Sequence, residues 1–278
     1  MKKIFLLLSA FIIASCSSDD SEPTQSNKKL YVTKITNISS RSTTELNFTY
    51  DSKNRLTKNE TETYYREFIY DANDRIKQIK SITKPNTLYY TVNFIYDSSG
   101  KVVEVKRDNH HNGTIFYVKY DYFNTGEVNN VYVFDKQESY NNNKHDRYYA
   151  ISGYSIGNNF TAKTLSVYDI TFNMYDLDNT ETWSYDLNNR PYFGEAIKNI
   201  SLPYATDGTG MDWDIMYQTN NPIKFSFFDF NSGKDFVRRT FEYEYNSDDR
   251  PTKIVKKTYN SDGSLNSTFT QNLTYSLR

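Results

Sequence analysis

Cysteine is almost missing: Cys16 is the sole thiol in 278 residues, which excludes a disulfide framework and any multi-thiolate metal site. Long apolar runs are scarce too. With 24% charged residues and a mean hydropathy of −0.77, no bundle of membrane helices fits the chain. Neither charge dominates: 33 Lys and Arg face 34 Asp and Glu, a formal net charge of −1, so nothing draws the surface as a whole to nucleic acid. No His-Glu-x-x-His, phosphate-loop or dinucleotide-binding pattern occurs, and no cofactor is implied. Glycine (10), proline (6) and tryptophan (2) are few. What the chain has instead is 26 Tyr and 18 Phe, an aromatic share of 17%. Such side chains suit pleated, half-buried surfaces and lean the fold towards β.

The one long apolar stretch opens the chain. Lys2 and Lys3 precede Ile4 to Ile13, about ten residues where a spanning helix needs about twenty, so residues 1–15 read as a cleaved export signal. Cys16 follows at once, in Ala14-Ser15-Cys16. This resembles the lipobox of bacterial lipoproteins, which implies cleavage before Cys16 and a diacylglycerol on its thiol. Acyl chains contribute about 0.8 kcal/mol per buried CH₂, so a multiply acylated Cys16 holds a protein on a membrane. Residues 16–27 are polar and acidic, rich in Ser and Asp, with no aromatic residue, the composition of a disordered tether. They resemble the surface-export segment of Bacteroidota lipoproteins, and Ser17 in place of Asp argues against inner-membrane retention. Losing residues 1–15 removes two Lys and no acid, leaving 31 basic and 34 acidic residues, net −3.

The mature chain repeats itself. Phe48-Thr49-Tyr50-Asp51-Ser52-Lys53-Asn54-Arg55-Leu56 returns as Phe68 to Ile76, Phe94 to Val102, Trp183 to Pro191 and Tyr243 to Pro251, with looser copies at Tyr120-Asp121 and Tyr259-Asn260. Successive copies from Tyr50 to Tyr120 are 20, 26 and 24 residues apart. Before each turn, apolar residues alternate, as in Phe241-Glu242-Tyr243-Glu244-Tyr245, the signature of a strand with one buried face. The Asp or Asn after the last Tyr can accept from backbone N–H groups ahead of it. Four residues after that Tyr stand Asn54, Asp74, Gly100, Asn189, Asp249 and Gly263, residue types that adopt φ > 0 as a short hairpin loop requires. Each copy therefore reads as a β-hairpin, two strands of about seven residues and their turns.

The pattern Tyr-Asp-x-x-x-Arg-Leu/Ile resembles the YD repeat of Rhs-type and teneurin-type surface proteins. It is still more similar to YD-containing lipoproteins of unknown function from Bacteroidota, which form extended antiparallel sheets, some curled like porins. The resemblance covers about residues 30 to 130 and 235 to 278, and it implies a fold and no activity. Pro191 and Pro251 depart from it, and the copies are too few for a closed toxin-enclosing shell. Glu242, Glu244, Lys77, Lys80, Lys101 and Glu104 fall on the solvent phase of the strands, where a lipid face would make each cost a few kcal/mol. That favours a sheet outside the bilayer.

Between Phe134 and Lys234 the repeat weakens. Asp135 to Arg147 reads as a polar loop, Phe160 to Asp176 and Thr182 to Phe193 as strands, and Gly194 to Ile200 as a short helix. An irregular insert covers about residues 194–222, and so long a departure reads as an end cap or a functional face. Within it, Asp212-Trp213-Asp214-Ile215-Met216-Tyr217 is the most site-like stretch. Trp213 and Tyr217 could stack on a ligand, and Asp212 and Asp214 could serve as the carboxylate pair of a glycoside hydrolase. The competing reading makes Trp213 a buried anchor flanked by solvent-facing acids. His110, His111 and His145, in Asn-rich loops, read as solvated turn histidines and not as metal ligands.

The expectation is one all-β domain over 28–278: an antiparallel hairpin meander of about a dozen strands, curled into an open sheet or barrel-like shell. Phe48, Tyr50, Phe68, Tyr70, Phe94, Tyr96, Phe241, Tyr243 and Tyr245 should line its packed face. In function the expectation is a lipid-anchored outer-membrane protein, displayed outward, with a non-catalytic binding or scaffold role towards a glycan or a partner protein. The alternative is a surface glycoside hydrolase using Asp212 and Asp214. Lipidation falls to Cys16, and ligand contact, if any, to Trp213, Tyr217 and the two acids.

Overall fold

A computed structural model describes residues 28–154, 160–169, 174–200, 202 and 220–278. The described residues form sixteen strands and two short helices. The first half holds β1 (Leu30–Ile38), β2 (Thr43–Tyr50), β3 (Leu56–Glu60), β4 (Tyr64–Tyr70), β5 (Ile76–Thr83), β6 (Thr87–Tyr96), β7 (Val102–Asn109) and β8 (Thr114–Tyr122). Then come β9 (Val128–Phe134), α1 (Gln137–Asn141), β10 (Arg147–Tyr154), β11 (Phe160–Asp169) and β12 (Met174–Asn189). After α2 (Glu195–Asn199) the chain completes β13 (Asn220–Asp229), β14 (Lys234–Tyr245), β15 (Pro251–Tyr259) and β16 (Leu265–Leu277).

Every strand pairs antiparallel with its sequence neighbours, and β1 joins β2 on one side and β16 on the other, giving a barrel-shaped sheet. The start of β1 and the end of β16 meet in that seam, where Lys29 and Arg278 exchange backbone hydrogen bonds of 2.9 and 3.0 Å. The thinnest ladder is β3–β4, with three register pairs. Because β3 has only five residues, β2 residues 43–46 pair with β1 alone, and the rim is notched there. The expected dozen strands are sixteen because the stretch in which the repeat fades, β10 to β13, is also paired sheet.

The turns after Tyr50, Tyr70, Tyr96, Tyr122 and Tyr245 lie at one end, the turn rim, together with Lys29 and Arg278, whereas the turn after Tyr259, between β15 and β16, lies at the other. The connections between β1 and β2, β3 and β4, β5 and β6, β7 and β8 lie at the other end, the far rim. Along each strand the alternation separates two faces. Phe48, Tyr50, Phe68, Phe94 and Phe241 are buried, with Tyr70, Tyr96 and Tyr243 packed against them and Tyr245 half-buried, as the alternation predicts. The buried residues form one cluster that draws on strands all round the ring. It therefore lies in the lumen. A sixteen-strand barrel is wide enough to leave a channel; here the turn-rim half is closed by the chain itself. Tyr192, Phe193, Ile197 and Ile200 enter the core there, Phe193 with its ring 5.2 Å from Phe48 and Tyr192 4.8 Å from Tyr31.

The outward face is charged, with pairs such as Lys253–Glu244 at 2.6 Å and Lys257–Glu242 at 2.5 Å across neighbouring strands. Lys77 is exposed there and Lys80 and Glu104 half-buried, whereas Lys101 lies in a turn. Two adjacent residues test the facing directly. Phe94 is 5% exposed and Ile95 is 48% exposed. Phe94→Ala should cost about 3–5 kcal/mol and Ile95→Ala about 0.5 kcal/mol or less in denaturant unfolding. Equal costs would show that the assigned faces are wrong.

Candidate functional site

The repeated turn has a complete structural account. In the first copy, Asp51 Oδ1 accepts from the backbone N–H of Lys53 and Arg55, each at 2.9 Å. Arg55 closes over the same carboxylate at 2.7 Å. The next copy reproduces this with Asp71, Asn73 and Arg75, and Asn246 does it with Asp248 and Arg250 through its amide oxygen. The loop residues sit at positive φ, +59° at Asn54, +58° at Asp74, +87° at Gly100 and +55° at Asp249, as the sequence requires. Burial alone would raise the Asp51 and Asp71 carboxyls. Hydrogen bonds from the Arg backbone and side chain outweigh it and hold both below the usual carboxylate range.

In four copies the tyrosine before the turn reaches back to a carbonyl of an earlier strand. Its hydroxyl donates to the carbonyl of Val32 from Tyr50 (2.7 Å), of Leu56 from Tyr70 (2.8 Å) and of Ile76 from Tyr96 (2.7 Å). Tyr122 reaches Val102 at 2.6 Å and Tyr275 reaches Pro251 at 2.8 Å. The basic residue of the first three turns then lies on the next ring, Arg55 at 4.6 Å over Tyr70, Arg75 at 4.4 Å over Tyr96 and Lys101 at 5.0 Å over Tyr122. Arg278 completes the series on Tyr50 at 5.0 Å. Tyr, Asp and Arg are therefore spent on holding neighbouring copies together.

Two copies differ from the sequence alignment. The one aligned on Tyr120-Asp121 turns at Tyr122-Phe123, where Phe123 N–H donates to Glu127 O at 2.9 Å; Tyr120, on the inward phase two residues earlier, is buried in the core. The Trp183 to Pro191 copy makes no hairpin. Asn189 stays in β12, paired with Asn220, and Asp186 accepts from the backbone and side-chain N–H groups of Asn221 and from the Tyr245 hydroxyl. Pro251 suits its place as the first residue of β15, where its carbonyl is the group needed.

After Arg190 the chain turns into the barrel mouth. Val32 N–H donates to Tyr192 O at 3.0 Å, the helix foreseen at 194–200 forms as α2, and Lys29 pairs with Glu195 at 3.1 Å. Gly194 lies at φ +108°, with Asn54 O only 3.6 Å from where a Cβ would be. These residues act as a cap. Trp213, Tyr217, Asp212, Asp214 and Cys16 lie outside the described residues. His110 and His111 are exposed as expected, His111 stacked on Tyr89 at 4.1 Å. His145 is not a solvated turn residue: it is half-buried among Tyr132, Phe134 and Tyr148, and burial lowers its pKa against the opposing pull of Asp146.

The far half of the lumen is polar, a feature not foreseen. Asn59, Arg66, Ser81, Tyr90 and Asn109 are register partners along one inward row across β3 to β7. The first four are 0%, 8%, 4% and 4% exposed. The signal was present in the sequence: Arg66 stands on the same strand phase as Phe68 and Tyr70, where alternation demands an apolar residue. At the notch beside this row opens a cleft of about 610 Å³, lined by Thr43, Glu45, Asn47, Glu60, Glu62, Tyr64 and Lys84 among others.

With this geometry, the chain can be set beside known proteins. No family model matches it, and neither does any curated protein. Two solved structures share its architecture. A porin-like protein from Bacteroides uniformis aligns at 12% identity with a TM-score of 0.53, over 88% of this chain and 98% of its own. A porin-like protein from Bacteroides vulgatus aligns at 12% identity and TM-score 0.54, over 89% and 99%. The chain has their fold. Part of the Photorhabdus luminescens Tc holotoxin pore also aligns, over 80% of this chain and 13% of that one, but a TM-score of 0.31 is too low to indicate a common fold. A barrel of this kind is compatible with an outer-membrane location.

The turn carboxylates set an acid dependence. A lowered folded pKa contributes stability that is complete above the unfolded value, about 3.9, and is lost as pH falls through the folded value. Asp71→Asn keeps the turn acceptor, as Asn246 shows, and removes only the pairing with Arg75. It should cost about 1 kcal/mol or less at neutral pH, with the gap to wild type constant down to about pH 5 and closing below about pH 4. A gap unchanged in acid would exclude the carboxylate as its source.

Proposed function

We propose that the chain is a lipid-anchored outer-membrane protein, displayed outward, whose barrel serves a non-catalytic binding or scaffold role towards a glycan or a partner protein. The observation that carries this reading is the meeting of Lys29 and Arg278 at the turn rim. A tether from Cys16 joins the barrel there, beside the cap, and its twelve or so residues reach at most about 40 Å. The far rim, with its notch and the polar half of the lumen, then points away from the membrane. The charged outward pairs on β14 and β15 support anchoring over insertion, since Lys and Glu on a lipid face cost a few kcal/mol each near mid-bilayer. The Tyr-Asp-x-x-x-Arg groups are used in mutual hydrogen bonding and stacking, which supports a scaffold reading of the repeat.

The decisive variant is Cys16→Ser, expressed in the native host and followed by fractionation. The protein should move from the outer-membrane fraction to the soluble fraction while keeping its melting temperature. Continued association with the membrane in that variant would overturn the anchor.

A further inference from the structure

Several arginines of this chain are neutralised by a carboxylate. Arg55 and Arg75 each sit on an aspartate of their own turn, and Arg147 pairs with Asp135. Two arginines on the lumen wall, in β4 and β7, are not. Arg66, 8% exposed, donates from Nε to the Tyr90 hydroxyl at 2.9 Å and lies 4.5 Å over the Tyr64 ring. Its Nη1 is buried and makes no hydrogen bond. Arg107 faces the same ring from another side, with its guanidinium carbon 4.3 Å from the Tyr90 centroid and Nε donating to Asn109 Oδ1 at 2.8 Å. Neither has an ion pair among the described residues.

The nearby carboxylates are turned the other way. Glu60 pairs with Lys58 and Lys84, Asp108 with Lys106, and Glu104 accepts from Tyr140; Glu67 lies on the outward phase, in register with Lys58 and Lys80. Among the described residues, these two guanidinium groups gather around one phenol and neither is paired with a carboxylate. A guanidinium cannot shed its proton to escape that cost, and an unpaired buried charge is among the most unfavourable arrangements in a protein interior. An oxyanion relieves it: planar forks take carboxylate, phosphate or sulfate oxygens through paired N–H donors. Arg107 and Asn109, at the far-rim end of β7, are half-exposed.

We propose that the polar half of the lumen is a binding site for an oxyanion, a carboxylate or a phosphate or sulfate group on a small ligand, held by Arg66 and Arg107 on either side of Tyr90. The site does not depend on the lipid anchor, and its test is separate from that of Cys16. Detergent-solubilised mature protein is titrated with sodium phosphate, sodium sulfate and sodium glucuronate, with sodium chloride at matched ionic strength as reference, and read by thermal melting and calorimetry. At least one oxyanion should raise the melting temperature saturably beyond chloride, and which one does so identifies the group. Arg66→Lys, which keeps the charge and loses the fork, and Arg107→Gln should each weaken that binding about tenfold or more, while Lys77→Gln on the outer wall should not. No saturable effect from any of the three salts, or an effect unchanged in both arginine variants, would overturn the proposal.

Discussion

The barrel depends on a hydrogen bond from a tyrosine hydroxyl to a carbonyl in the neighbouring copy. A hairpin alone buries too little to be stable. Here successive hairpins end in a tyrosine whose ring packs on the lumen side while its hydroxyl satisfies the carbonyl that opens an earlier return strand, from Tyr70 to Leu56, from Tyr96 to Ile76 and from Tyr122 to Val102. One side chain thus provides apolar area, pairs a carbonyl at the barrel's end and offers a face to the arginine of the preceding turn. The contact needs a hydroxyl on an aromatic ring, so Tyr can make it and neither Phe nor Leu can. Since each link joins one copy to the next, the series closes only when the last meets the first, as Arg278 does on Tyr50.

Closure divides the interior. Near the turn rim the lumen is aromatic and plugged by Tyr192, Phe193 and α2; towards the far rim it carries Asn59, Arg66, Tyr90 and Gln271. A repeating unit that had only to pack would place apolar residues along the whole inward phase. The polar half is therefore the part of the barrel that stability does not explain, and any ligand chemistry belongs there before it belongs on the outer wall.

The sequence made some of this legible and not the rest, for physical reasons. Turn chemistry is local, so Asp51, Asn54 and Arg55 could be read in order, and alternation placed Phe48, Phe68 and Phe94 inside. Register across an irregular loop is not local: Tyr120 and Tyr122 share a strand phase, and only the longer connection to Glu127 selects the second. Asn189 has the residue type of a hairpin loop but continues β12, because the following residues are drawn into the barrel as its cap. Closure was left open between sheet and barrel, since β1 and β16 are linked by contacts over 241 residues of sequence, as in Thr33 and Thr274. Arg66 was visible as a charge on an apolar phase, yet alternation read for its apolar members alone passes over it.

The tyrosine links can be measured together. Burial pushes the phenols of Tyr50, Tyr70, Tyr96, Tyr122 and Tyr275 up, so the folded state keeps their protons and loses that stabilisation only as pH rises past the ordinary value of about 10. Absorbance titration of phenolate in the intact barrel should show a first group of exposed tyrosines ionising near pH 10 and a second group ionising only together with unfolding, in one step with the loss of β circular dichroism. A smooth titration of all 26 tyrosines near pH 10, with the β signal intact, would contradict the account.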